Sequence, residues 1–213
     1  MPISRRALAA LTLAAPALPA LARPALAQTA APPPATGPDP RLAPRFVGQA
    51  TAPVTVTEFF SLTCGHCATF HNTVWPEVKT KLVDTGRVRM VWRDFPLDGV
   101  ALAAACVARA LPADRYEPFI GVLFQNQNRW AFAEGRQMEE LGKLAALAGM
   151  DQATFRRVVA DEALRRGVFE SRQNAVRDHN IQATPSFLFN SRLQSGGVSF
   201  DRFQQLVQDA PRA

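Results

Sequence analysis

Cys64-Gly65-His66-Cys67 is the stretch that decides the fold of this 213-residue chain. It follows the run Val54–Phe60, which alternates along its first half and is rich in β-branched and aromatic residues, as is typical of a β-strand. After the motif, apolar residues recur at helical spacing, which predicts an amphipathic helix. We therefore expect the two cysteines at the point where a strand ends and a helix begins.

Two cysteines at the N-terminus of a helix have the properties that thiol–disulfide exchange requires. The unpaired amides and the macrodipole at that end stabilise negative charge, which lowers the pKa of the first thiol and makes Cys64 the attacking group. Cys67 lies one turn further on, close enough to form a disulfide with Cys64 and to resolve a mixed disulfide. Between them, His66 can stabilise the Cys64 thiolate when protonated or through a hydrogen bond.

A metal site is the alternative of a different class. Cys-x-x-Cys is also half of a typical zinc site, which needs four ligands. The chain has three cysteines and three histidines, and a site would have to recruit Cys106, His71 or His179 from scattered positions. Redox chemistry is therefore favoured, and periplasmic binding of a soft metal, copper or zinc, stays as the alternative. We interpret Cys106 as a buried free thiol, and His71 and His179 as ordinary helix residues.

The charge of the chain argues against a nucleic-acid partner. Lys and Arg number 24 against 18 Asp and Glu, a formal charge of +6. Residues 1–27 contain Arg5, Arg6 and Arg23 and no acid, which leaves 21 − 18 = +3 for the remainder. The remaining basic residues are dispersed and are not interleaved with aromatic residues, as a nucleic-acid surface would require.

Residues 1–27 have the three parts of a signal peptide. Arg5 and Arg6 form a basic start, an apolar stretch follows, and Ala25-Leu26-Ala27 is a small-x-small end. Ser-Arg-Arg-x-Leu is similar to a twin-arginine signal, with the general secretory route as the alternative. We therefore expect a periplasmic protein, in a compartment where disulfides persist. The Pro- and Ala-rich residues 28–45 are expected to form a linker.

The order of the predicted elements defines an α/β fold. The helix over 64–83 should kink or divide at Pro76. A second strand over 88–95 completes a βαβ unit with parallel strands. Helical patterns then fill residues 98–180, with Asp151 as one expected N-cap.

The pattern returns to strands near the end of the chain. Ser186–Phe189 is an apolar run, and Arg192–Ser195 can pair with it as a hairpin. Ser199 is expected to cap a last helix. The whole order is βαβ, a helical insertion, then ββα around a central mixed sheet.

This order around Cys-x-x-Cys resembles the thioredoxin fold. The helical insertion, together with Ala183-Thr184-Pro185 before the third strand, resembles the DsbA family of periplasmic thiol–disulfide oxidoreductases. Residues 59–67 and 92–97 are also similar to stretches of that family, and the resemblance covers about 54–210. It implies a thioredoxin-like domain over 46–213, with an insertion over about 98–180, that acts as a protein thiol–disulfide oxidoreductase.

The resemblance also implies roles for residues outside the motif. Thr184 and Pro185 would form the cis-proline loop that receives the main chain of the substrate. Glu58 would be a buried acid near Cys67 that accepts its proton during exchange. Independently of the resemblance, the position of Arg93 on the second strand makes it a candidate charge partner of Glu58. No cofactor is expected besides the redox-active disulfide Cys64–Cys67.

The implied partners are exported proteins that contain thiols, and a membrane protein that reoxidises or reduces the cysteine pair. A monomer is expected, because the family's isomerases dimerise through an added N-terminal domain where this chain has a Pro-rich segment. An oxidase that introduces disulfides into exported proteins is favoured. A disulfide isomerase or reductase stays as the alternative, because Thr184 replaces the Val of the best-known oxidases.

Overall fold

The structure is a computed structural model that describes residues 37–211. The predicted signal peptide over 1–27 and the first half of the predicted linker, 28–36, lie outside the described residues. Within 37–211, no helix has both the length and the apolar character needed to cross a lipid bilayer.

A five-stranded mixed sheet forms the centre of the fold, in the order β1-β3-β2-β4-β5. Strands β2 and β3 are parallel, and every other neighbouring pair is antiparallel. The predicted α/β fold, with its βαβ unit, helical insertion and ββα unit, is confirmed. The strands are β1 Arg45–Val47, β2 Val54–Phe60, β3 Val88–Asp94, β4 Ser186–Phe189 and β5 Arg192–Ser195.

A helical segment over 65–83 follows β2 and begins at the motif. It divides just before Pro76, which is the second residue of a new helical piece. This agrees with the sequence prediction, because proline has no N–H and its ring crowds the preceding turn. Two wide π-helical turns interrupt the regular α-helical hydrogen bonding of the segment. The successive pieces are α1 Gly65–Thr69, a π-helical turn Phe70–Val74, α2 Trp75–Val78 and a second π-helical turn Lys79–Val83.

The helical insertion connects β3 to β4 and contacts both faces of the sheet, with Phe124 against Phe60 and His179 against Phe59. Asp98, Asp151 and Asp161 each accept a backbone N–H at the start of a helix, so the predicted cap at Asp151 is confirmed. The helices are α3 Gly99–Ala110, α4 Ala113–Gln125, α5 Gln127–Trp130, α6 Gln137–Leu147, α7 Gln152–Val159 and α8 Glu162–His179. The last helix, α9 Phe200–Gln208, is capped by Ser199 as predicted.

The predicted linker ends earlier than its composition suggests. Pro40–Leu42 form a 3₁₀ turn, and Arg41 makes an ion pair with Asp161 at 2.8 Å. Arg45 then begins the edge strand β1, which the sequence analysis did not predict, and it is buried. A three-residue strand is too short to show an alternating pattern.

A buried charge cluster fixes this segment to the body of the fold. Asp94, at the end of β3, pairs with Arg109 and accepts a hydrogen bond from Tyr116 Oη at 2.9 Å. Arg109 Nη1 also donates to the carbonyl oxygens of Arg41 and Ala43, at 3.0 and 3.2 Å. Burial alone would lower the pKa of Arg109, but the charge of Asp94 raises it above its usual value.

Removing Asp94 should therefore destabilise the fold severely. We expect Asp94→Ala to lower the free energy of unfolding by about 3–5 kcal/mol, because it leaves Arg109 buried without a counter-charge. Asp84→Ala is the matched control, since it breaks the exposed Lys79–Asp84 pair and should lower stability by less than about 1 kcal/mol. Urea unfolding of both variants measures the difference, and equal losses would contradict this account.

Candidate active site

The structure places Cys64 at the junction that its sequence context predicts. Strand β2 ends at Phe60, and Cys64 is the N-cap residue of α1, with extended backbone angles of φ −83° and ψ 119°. Its carbonyl oxygen accepts the first helical hydrogen bond, from Ala68 N at 3.1 Å. The Cys64 thiol therefore lies at the end of the helix where unpaired amides stabilise an anion.

The loop before Cys64 is fixed by the chain that follows β3. Thr63 Oγ1 donates to Asp98 Oδ2 at 2.6 Å, and Leu97 N donates to Ser61 Oγ at 3.3 Å. Asp98 also caps α3, so one side chain joins the helical insertion to the loop.

Gln127, on α5, fixes the same loop from the other side. Its buried side-chain amide donates to the carbonyl oxygens of Leu62 and Cys64, at 2.8 and 3.1 Å. The local sequence pattern of α5 does not indicate this role, because Gln127 reaches a loop 63 residues away in the chain.

The second loop at Cys64 is the one that contains Thr184 and Pro185. The Thr184–Pro185 peptide bond is cis, as the resemblance implies. Cys64 Sγ lies 3.3 Å from the carbonyl oxygen of Thr184, to which the thiol donates. The hydroxyl of Thr184 is buried and has no partner among the described residues, so it can donate to Cys64 once the thiol has ionised.

Several donors stabilise the Cys64 thiolate. They lower the pKa of Cys64 to about 5, and the largest contribution is a hydrogen bond from the Cys67 thiol. Partial burial opposes the shift, while the side chain of Thr184 and the backbone N–H groups of Cys67 and His66 add to it. Cys64 is therefore a thiolate at neutral pH.

The pKa of Cys67, in contrast, is raised. The residue is fully buried, and burial raises the pKa of its thiol well above the usual value. The hydrogen bond to Cys64 and the negative charge of Glu58 raise it further. One sulfur of the motif ionises readily, and the other retains its proton.

The side chain of His66 is exposed, and it is the backbone N–H of this residue that stabilises Cys64. The predicted contribution of the imidazole ring stays a prediction.

Glu58 lies on the buried face of β2, and its side chain is 0% exposed. It shares the alternation of Val54 and Val56, which also point inward, so the strand pattern contained the signal for its burial. Its Oε2 lies 3.1 Å from Nε2 of His71.

Two sequence-based interpretations around Glu58 are wrong. Arg93 is not its charge partner: the guanidinium donates to Ser171 and lies over the ring of Phe59, at 5.6 Å from the centroid. His71 is not an ordinary helix residue, because it is the buried partner of Glu58. Its position four residues after Cys67 was the available signal, since residues at that spacing share a helix face.

Cys106 lies in α3 and is a buried free thiol, as predicted. Burial, followed by the charge of Asp94, raises the pKa of Cys106 to about 12, so it remains a thiol at neutral pH. Within the described part of the chain, no three His, Cys, Asp or Glu side chains are grouped so as to hold a metal ion.

Comparison with known proteins identifies the family. The sequence model of the thioredoxin family matches residues 42–209, and the chain belongs to this family. A chain from Rickettsia felis, provisionally named a protein-disulfide oxidoreductase, is 28% identical over 77% of this chain and 59% of its own length.

Solved structures of DsbA proteins superpose on the chain, which agrees with the resemblance found in the sequence. α-DsbA1 from Wolbachia pipientis is 26% identical and superposes with a TM-score of 0.74, over 81% of this chain and 92% of that one. A protein-disulfide isomerase from Novosphingobium aromaticivorans, at 22% identity, shares the fold with a TM-score of 0.69, over 78% and 96%. The chain spans about 60% of the length of the curated relatives that it matches.

The two hydrogen bonds from Gln127 give a direct test of the way the loop is held. We expect Gln127→Leu to lower the free energy of unfolding by about 1–3 kcal/mol, because two carbonyl oxygens lose their donor. Backbone amide exchange in residues 62–66 should also become faster. Gln125→Leu, at an exposed position of the neighbouring helix, is the control and should change neither quantity. A Gln127→Leu variant with unchanged amide exchange would contradict this role.

Proposed function

We propose that the protein is a thiol–disulfide oxidoreductase that acts on protein thiols through Cys64 and Cys67. The observation that carries the proposal is the contrast between the two sulfurs. A half-buried Cys64 whose pKa is lowered to about 5 lies beside a fully buried Cys67 whose pKa is raised. The thioredoxin family, and the name of the relative from Rickettsia felis, support the same activity.

In the oxidising direction, a substrate thiolate attacks Cys64 in the Cys64–Cys67 disulfide. A mixed disulfide forms between the substrate and Cys64, and Cys67 leaves as a thiolate that takes up a proton, because its buried site disfavours the charge. A second substrate thiolate then attacks the substrate sulfur of the mixed disulfide. Cys64 leaves as a stabilised thiolate, the substrate gains a disulfide, and the two protein cysteines are reduced.

Other groups of the site have roles in this scheme. Glu58 exchanges a proton with Cys67. This role is supported by the negative charge of Glu58, which raises the pKa of the Cys67 thiol. Thr184 and Pro185 receive the main chain of the substrate, since their loop lies against Cys64 Sγ. His66 stabilises the Cys64 thiolate through its backbone and, when protonated, through its ring.

We further propose that the physiological direction is oxidation. A stabilised Cys64 thiolate favours the reduced form of the protein, which makes the disulfide reactive and oxidising. The substrates would be exported proteins in the periplasm, reached through the signal peptide over 1–27. A membrane protein would reoxidise the pair, and the enzyme would act as a monomer.

Three measurements on the wild-type protein test this direction. The equilibrium constant of Cys64–Cys67 with glutathione should favour the reduced protein strongly, and the oxidation of a reduced test protein should be faster than the repair of a scrambled one. The reduced form should also be more stable to unfolding than the oxidised form. This advantage is complete above the pKa of an unfolded thiol and is lost as the pH falls through about 5. The opposite order of stabilities, with preferential repair of the scrambled protein, would identify an isomerase or reductase.

The hydroxyl of Thr184 should contribute to this oxidising character. We expect Thr184→Val to raise the pKa of Cys64, because the thiolate loses one donor. One unit would be worth about 1.4 kcal/mol, or about tenfold in the glutathione equilibrium, towards a more reducing pair. Thr184→Ser keeps the hydroxyl and is the matched control, which should stay near the wild-type value. If both variants behave alike, the hydroxyl makes no contribution.

A further inference from the structure

Glu58 and His71 form a buried acid–base pair near Cys67, since the charge of Glu58 raises the pKa of that thiol. The side chains of Glu58 and His71 are 0% and 1% exposed, and Glu58 Oε2 lies 3.1 Å from His71 Nε2. The other carboxylate oxygen, Oε1, is buried and has no hydrogen-bond partner among the described residues. His71 follows Cys67 by four residues, so its side chain leaves the helix on nearly the same face.

Aromatic rings from three other elements hold the His71 ring in place. It stacks on Phe124 of α4, with centroids 4.2 Å apart and an interplanar angle of 26°. Trp92 of β3 and Phe60 of β2 pack against it at centroid distances of 5.2 and 5.9 Å. Because close packing prevents the ring from swinging away, Nε2 stays directed at Glu58.

We propose that His71 is the positioning residue of the resolving step, in which it holds Glu58 Oε2 so that Oε1 remains free to take the proton of Cys67. The inference rests on the proposed function and adds a residue to it. Within the part of the chain that the structure describes, His71 makes no hydrogen bond to a sulfur, and it acts through Glu58.

The resolving step can be followed in the oxidation of the reduced protein by oxidised glutathione, which accepts the two electrons. The Cys64 thiolate attacks one sulfur of glutathione disulfide, which forms a mixed disulfide and releases one glutathione thiolate. Cys67 then gives its proton to Glu58 Oε1, and the Cys67 thiolate attacks the Cys64 sulfur and releases the second glutathione thiolate. Two electrons pass from the protein dithiol to the glutathione disulfide.

Loss of His71 should affect only the second of these steps. With neither oxygen paired, a buried carboxylate is driven to hold a proton, and a carboxylic acid cannot accept another from Cys67. The first step depends on the Cys64 thiolate, which is stabilised by Cys67, Thr184 and backbone amides, without a contribution from His71.

The two steps can be separated by rapid mixing of the reduced full-length protein with oxidised glutathione. Acid quenching followed by mass spectrometry counts the glutathione adduct and the internal disulfide over time. His71→Phe keeps an aromatic ring in the same enclosure and removes the donor. We expect the adduct to form within about twofold of the wild-type rate and to decay about 10- to 100-fold more slowly.

A conservative variant distinguishes positioning from general damage to the core. His71→Gln places an amide nitrogen near the position of Nε2, and the adduct should decay within about threefold of the wild-type rate. Glu58→Gln should slow the decay as much as His71→Phe does. The double variant should be no slower than either single variant, because the two residues act as one unit.

Val78→Ala is the matched control for lost stability. Val78 is buried on the same helical segment two turns further on, and its truncation leaves a cavity away from the pair. The adduct of this variant should decay at the wild-type rate. If His71→Phe does not fold, His71→Asn replaces it, because the shorter amide stops short of Glu58 and should show the same slow decay.

The inference is overturned if the adduct decays at the wild-type rate in His71→Phe or His71→Asn, if His71→Gln is as slow as they are, or if the effects at Glu58 and His71 add. In each of these cases the wild-type protein still exchanges with glutathione, and the proposed function stands. A wild-type protein that forms neither adduct nor internal disulfide would overturn the proposed function itself.

Discussion

The chemistry of this protein depends on the unequal burial of two sulfur atoms only three positions apart. Cys64 lies at the first turn of a helix, where amides of the backbone and the hydroxyl of Thr184 face a half-buried thiol. Cys67 lies one turn deeper, where it is fully buried near the charge of Glu58. Because charge is favoured at one sulfur and disfavoured at the other, Cys64 is the better attacking group, whereas Cys67 retains its proton.

The interior contains two buried acids on adjacent parallel strands, and their surroundings differ in a way that fits different roles. Both carboxylate oxygens of Asp94 have a partner, since Arg109 pairs with one oxygen and Tyr116 donates to the other. Glu58 has His71 at one oxygen and no partner at the other among the described residues. A carboxylate with both oxygens paired stabilises the fold, whereas a carboxylate with an unpaired oxygen is able to accept a proton.

Local sequence patterns were sufficient to predict the elements that carry the motif. The alternation in β2 and the helical spacing after Cys67 placed the cysteines at a strand–helix junction, and Asp151 and Ser199 were visible as caps. The long-range contacts were not visible. Gln127 and Arg41 look like ordinary polar residues of a helix and a linker, yet each binds a segment that is distant in the chain.

The partner of Glu58 could not be predicted from local sequence patterns either. Arg93 is near Glu58 in the sheet and carries the expected charge, but its side chain leaves the opposite face of β3 and reaches Ser171. His71 is the partner of Glu58 because its ring packs among Phe60, Trp92 and Phe124. The spacing of residues in the sequence does not predict this packing.

The titration of Cys64 tests the central claim most directly. The rate at which iodoacetamide alkylates Cys64 in the reduced protein should follow the thiolate fraction, with a midpoint near pH 5, because the pKa of this thiol is lowered to about 5. Cys67 should remain unmodified over the same range, since its pKa is raised by burial. An alkylation midpoint near that of a free thiol, about 8.5, would contradict the account.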